Sequence, residues 1–183
     1  MKNLKVIMST LLFLVILTNG SVFAMYQAEV NPGEKSLCYS VQSLKGSIKS
    51  LTLESDFSLT DNLGLIGVYS FSDNYDFINL DLKLNMVDES DYNISFLGGY
   101  YFPLEDDQDS NAKLGILAST AVFKRLDLNG GLNVLLGKEE DYLGFEFGFD
   151  YRVTRHWYLE GGFRRFAGDK DNEGLSIGIR NYF

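Results

Sequence analysis

The chain has 183 residues, a formal net charge of −9, a single cysteine and a single histidine. So acidic a chain is a poor partner for nucleic acid, and a lone cysteine cannot close an internal disulfide, so other forces must hold the fold. Two prolines against 18 glycines, 14 phenylalanines and 11 tyrosines suit a run of strands, within about one domain's length.

Residues 1–24 read as a cleavable secretory signal peptide. Lys2 and Lys5 precede an apolar stretch from Val6 to Leu17, and Val22 and Ala24 stand at the −3 and −1 positions of a small-residue cleavage site. The apolar stretch is shorter than the ~20 residues of a spanning helix. Losing Lys2 and Lys5 takes the net charge from −9 to −11. Cys38 lies well past that cut, so it is not the lipidated first residue of a lipoprotein. It reads as a small buried residue. Residues 25–34, with Pro32, form a short segment ahead of the first regular element.

From there the pattern is period two. Segments 36–44, 47–59, 62–72, 75–86, 91–102, 112–123, 127–137, 142–153, 156–167 and 174–183 alternate apolar and polar residues, separated by turn-forming clusters. In "YLGFEFGFDYRV", Leu143, Phe145, Phe147, Phe149, Tyr151 and Val153 point one way, and Gly144, Glu146, Gly148, Asp150 and Arg152 the other. A helix of that sequence would scatter its charges, whereas a strand separates them. Short connections predict antiparallel hairpins. A meander has two bare edges unless its first and last strands meet, so the expectation is a closed up-and-down antiparallel β-barrel over 35–183. Ten strands are expected, with eight as the alternative.

Four features put the apolar face against lipid, making the barrel transmembrane. Arg165 is the one charge on the apolar faces; strands approach the ~9–11 residues of a membrane strand. Aromatics (Tyr69, Phe71, Tyr100, Phe102, Tyr151, Trp157, Phe183) gather toward strand ends, as in membrane girdles. The polar faces carry six acids, Glu54, Asp56, Asp81, Glu146, Asp150 and Glu160, against five bases, Lys83, Lys113, Arg152, Arg164 and Arg180. Inside a narrow barrel such charges must pair. They would form either a salt-bridged plug or the lining of a narrow pore. Inward glycines (Gly99, Gly115, Gly131, Gly144, Gly148, Gly162) leave space for the second.

The chain ends "LSIGIRNYF". Its Ser176, Gly178 and terminal Phe183 resemble the C-terminal assembly signal of bacterial outer-membrane β-barrels, with Asn181 where that pattern has an apolar residue. The segments "SDFSLTDNLGLIGVYSF" and "FDYRVTRHWYLEGGFRRF" are similar to periplasmic hairpins of small OmpA-like barrels. The resemblance implies a bacterial outer-membrane location, with residues 25–34 and Phe183 on the periplasmic side. It also implies assembly partners: outer-membrane lipid, the barrel-assembly machinery and periplasmic chaperones. "EDDQDSN" and "DKDNE" would then be outer loops.

The sequence offers little chemistry. His156, the one histidine, sits in an expected turn beside Trp157; as a catalytic base it would need a nucleophile and an orienting acid nearby, and it is assigned a turn or interfacial role. "DKDNEG" opens like a calcium loop but has Arg180 where an EF-hand needs its bidentate Glu. The acids Glu105, Asp106, Asp107 and Asp109 are candidates for sharing divalent cations with lipid phosphates. No cofactor site and no enzymatic activity are expected. The expected role is a structural or surface-interaction component of the envelope. A low-conductance channel is the alternative, with a lipid-modifying enzyme and a soluble ligand-binding barrel behind it.

Overall fold

The computed structural model describes residues 27–44, 49–72, 76–104, 109–138, 141–167 and 174–183. Residues 1–24, read from the sequence as a signal peptide, and residues 105–107 and 169–173 lie outside the described residues. Ten strands follow in order: β1 (Lys35–Leu44), β2 (Lys49–Ser58), β3 (Leu63–Ser72), β4 (Phe77–Asp88), β5 (Tyr92–Pro103), β6 (Asn111–Phe123), β7 (Leu126–Leu136), β8 (Asp141–Arg152), β9 (Trp157–Ala167) and β10 (Gly174–Tyr182). Each pairs antiparallel with its neighbours, and β1 pairs with β10 from Ser36 opposite Tyr182 to Leu44 opposite Gly174. The sheet is a closed barrel of ten strands, which settles the choice between eight and ten. Even the terminal residue joins the seam: the Phe183 amide donates to the Lys35 carbonyl at 2.9 Å. Closure satisfies the backbone groups that an open meander would leave bare at its edges.

Side chains sort as the alternation predicts. In β8, Gly144, Glu146, Gly148 and Asp150 are buried while Leu143, Phe145 and Phe147 are exposed on the outer wall. Leu80, Leu82, Leu84, Leu132, Ile177 and Ile179 extend that apolar outer surface around the barrel. Aromatic pairs mark one rim, with Tyr69 on Phe71 and Tyr100 on Phe102 at centroid separations of 6.4 and 5.8 Å. Tyr92, Phe123, Tyr151, Trp157 and Phe183 mark the other.

Both ends of the described chain lie at one mouth, here the turn end, with the short connections 59–62, 89–91, 124–125 and 153–156. Two of these close by hydroxyl acceptance: Thr60 Oγ1 takes the Leu63 amide and Thr154 Oγ1 the Trp157 amide, both at 3.1 Å. Bulges beside Asn85 in β4 and beside Ala121 in β6 end the regular ladders near the same mouth.

Ahead of β1, the Glu34 amide donates to the Asn31 carbonyl at 3.0 Å and Gly33 has φ of 74°. With Pro32 before that glycine this is the residue order of a type II turn, in which the third position requires positive φ. The turn folds the preceding residues back, and Gln27–Val30 run inside the barrel wall. Of the short segment ahead of β1, Gln27 and Ala28 reach inward-facing side chains, while Asn31, Pro32 and Gly33 are exposed.

Candidate functional site: the barrel lumen

Ten of the eleven charged residues expected to face inward do so. Alternation forces this placement, and pairing makes it tolerable. Lys83 Nζ meets Asp56 at 2.5 Å, Lys113 Nζ meets Asp81 at 2.6 Å, and Arg164 Nε meets Glu146 at 2.8 Å. Arg180 is the centre of the largest group. Its guanidinium donates to Glu54 at 2.5 Å, to Ser36 Oγ at 2.9 Å and to Glu160 through Nε. The Cys38 thiol donates to the same Glu160 at 3.1 Å, so the cysteine is a buried member of this cluster.

Arg152 is the exception. It sits at the turn-end rim, exposed, with Nη2 donating to the Lys124 carbonyl at 2.6 Å. It is the last residue of β8, too close to the mouth to be enclosed. Of those eleven residues, six acids and four bases face inward, short of the near balance expected. Asp150 shows the excess. It faces Glu160 across the β8–β9 ladder and takes amide donors in place of a base, Asn129 Nδ2 at 2.5 Å and Gln27 Nε2 at 2.6 Å.

The inward glycines make room for polar groups of neighbouring strands. A side chain at Gly99 would strike the Asp81 carboxylate and the Leu80 carbonyl; one at Gly115 would strike the Asn133 amide; one at Gly131 would meet Glu146 Oε1 at 2.9 Å. Gly148 and Gly162 face each other so closely that a Cβ on either would lie within 2.8 Å of the other's Cα. The missing side chains make room for neighbouring carboxylates, amides and backbone.

Two features of the lumen lie beyond the sequence reading. One is apolar. Ile66 and Val68 of β3, Leu97 of β5 and Leu117 of β6 point inward from otherwise polar faces and form one fully buried cluster with Ala28. The other is the N-terminal segment itself. The Ala28 amide donates to Ser119 Oγ at 2.7 Å, and Ser95 Oγ donates to the Ala28 carbonyl. Lys83 Nζ donates to the carbonyls of Gln27 and Glu29 at 3.1 and 2.8 Å, and the Tyr182 hydroxyl donates to Gln27 Oε1 at 2.5 Å. A signal for both was available: β3, "LGLIGVYSFS", is apolar on both faces, and "NPGE" is a turn.

The other candidates stay outside the lumen. His156 Nδ1 lies 3.2 Å from the Tyr182 carbonyl at the exposed turn end, and its own carbonyl accepts the Tyr182 amide at 2.9 Å. Asp109 pairs with Lys138 at 2.7 Å on the exposed opposite rim, while its neighbours 105–107 are beyond the described residues. Ser176 and Gly178 face the lumen and Phe183 is exposed at the seam.

No family model and no curated protein matches the sequence. Solved structures do match the fold. A KdgM porin in complex with disordered oligogalacturonate aligns with a TM-score of 0.52 at 8% identity, over 82% of this chain and 99% of that one. The COG4313 outer membrane channel from Pseudomonas putida F1 aligns with a TM-score of 0.51 at 10% identity, over 88% of this chain and 98% of that one. The similarity is one of architecture: this chain has the closed antiparallel barrel fold seen in outer-membrane porins and channels.

Proposed function

We propose that the protein is a small barrel of the bacterial outer membrane, non-enzymatic, with a structural or surface-interaction role. The observation that carries this reading is the crowded lumen. Buried ion pairs and amides line its wall, and the segment Gln27–Val30 bonds to inward side chains of several strands. The apolar outer wall supports a lipid location over a soluble ligand-binding barrel, because water would meet dozens of large apolar side chains there. The test is single-channel conductance of the detergent-refolded chain beginning at residue 25, after liposome flotation has established insertion. An inserted, silent barrel is expected. Steady, salt-dependent current steps from the unaltered protein would overturn the closed-barrel reading.

A second reading, a low-conductance channel, is favoured by one observation. These ion pairs join strands no more than two apart around the ring (β2 with β4, β4 with β6, β8 with β9, β9 with β10, β10 with β2), so they lie along the wall. The N-terminal segment spans further, with partners on β4, β5, β6, β8 and β10. The porin and the outer membrane channel of similar fold agree with that reading. Six inward acids against four bases would make such a path prefer cations, unlike a porin that holds an acidic oligosaccharide.

A further inference from the structure

We infer that Gln27–Val30 is a self-ligand in a built site and the removable part of the lumen seal, whose release opens a cation-preferring path; this rests on the channel reading above. The seat is specific. Three backbone groups of the segment, the carbonyls of Gln27 and Glu29 and the Ala28 amide, are met by Lys83 and Ser119, while Ser95 meets the Ala28 carbonyl. Recognition of backbone lets a piece without regular secondary structure fit, and the side-chain requirement falls on two positions. At Ala28 the methyl group packs among Ile66, Val68, Leu97 and Leu117. At Gln27 the amide joins Asp150 of β8 to Tyr182 of β10, donating to one and accepting from the other.

The apolar quartet gains its sense from this seat. A membrane barrel's interior is normally polar, and four inward aliphatic side chains would otherwise line an aqueous space unfavourably. Seating Ala28 dries them. The segment is nevertheless held by side-chain bonds and one apolar contact, and it belongs to no ladder of the wall. It leaves the wall through the turn at Pro32 and Gly33, which supplies a pivot at the rim. Withdrawing it breaks no strand pairing, whereas clearing the ion pairs would strip charges the wall must keep neutralised.

The experiment uses the full chain from residue 25, refolded and inserted in liposomes, with Cys38→Ser as background and Ala28→Cys as the reporter. A charged, membrane-impermeant maleimide should label Cys at position 28 at least about tenfold more slowly than a Cys introduced at exposed Asp61, as local opening limits access. Equal labelling rates would overturn the seating. Adding Lys83→Met with Ser119→Val, or beginning the chain at Asn31 should that pair not refold, should erase the labelling protection where the reporter is present and produce cation-selective current steps. Loss of protection without current would overturn the gate while leaving the closed structural barrel standing. Full currents from the protein with the segment still protected would overturn the gate while supporting a channel.

Discussion

Replacing Arg180 by methionine is the sharpest test of the lumen's energetics. The guanidinium is buried, and it serves two buried carboxylates, Glu54 and Glu160, with Asp150 directly across the ladder from Glu160. Methionine keeps much of the volume but leaves those acids facing one another without their base. Removing one partner of a buried pair costs about 3–5 kcal/mol, because the remaining charge is stranded away from water. Two stranded acids put R180M at the upper end of that range. The assay is urea unfolding of the liposome-inserted protein, followed by fluorescence of Trp157, the chain's one tryptophan, and by the gel mobility shift between folded and unfolded barrel. The triple variant R180M/E54Q/E160Q should recover most of the loss, since exchanging a whole buried ionic group for neutral ones is often close to neutral. An R180M loss below about 1 kcal/mol, or a triple variant no better than the single one, would refute the view that these charges hold each other in the lumen.

Other expectations follow from the same geometry. Gly99→Ala and Gly115→Ala should each lower stability by about 1–3 kcal/mol in that unfolding assay, because the added carbon meets a carboxylate, an amide or backbone with no room to yield. Arg152→Gln should change stability by no more than about 0.5 kcal/mol, since the side chain is exposed at the rim. Gly33→Ala should loosen the N-terminal segment by about 1 kcal/mol, read as faster labelling at position 28, because alanine disfavours the positive φ there. Glu29 makes seating pH-dependent. It lines a cavity of about 330 Å³ at the turn-end mouth with Asp88, Asp91 and Asp127, and burial, reinforced by Glu34, Asp127 and Asp88, holds its carboxyl above the ordinary range despite the Asn31 hydrogen bond. A raised carboxyl means that seating takes up a proton, so the segment should seat more firmly as pH falls through the seated value and less firmly above it. Labelling at position 28 should slow with acidification, and Glu29→Gln should flatten that profile.

The period-two pattern by itself determined a closed up-and-down barrel, while the structure decided for ten strands over eight. A strand has two faces, and residues such as Phe145 and Glu146 can be segregated in only one way, so wall, inner charges and the meeting of β1 with β10 were legible before any coordinates. The terminal Phe183 belonged to the same logic, because the last strand must pair. What tertiary structure decided concerns distance across the lumen, about which alternation along a strand carries no information. Which base meets which acid depends on ring position and stagger: Lys83 skips β3 to reach Asp56, and Arg180 skips β1 to reach Glu54. Arg152 shares a face with Glu146 yet lies beyond the enclosed length of its strand. The glycines read as empty space until their neighbours were placed around them. Most of all, Gln27–Val30 carries no periodicity of its own. Its partners lie on five strands, more than 50 residues away in sequence, and only closure of the barrel brings Lys83, Ser95, Ser119, Asp150 and Tyr182 around it.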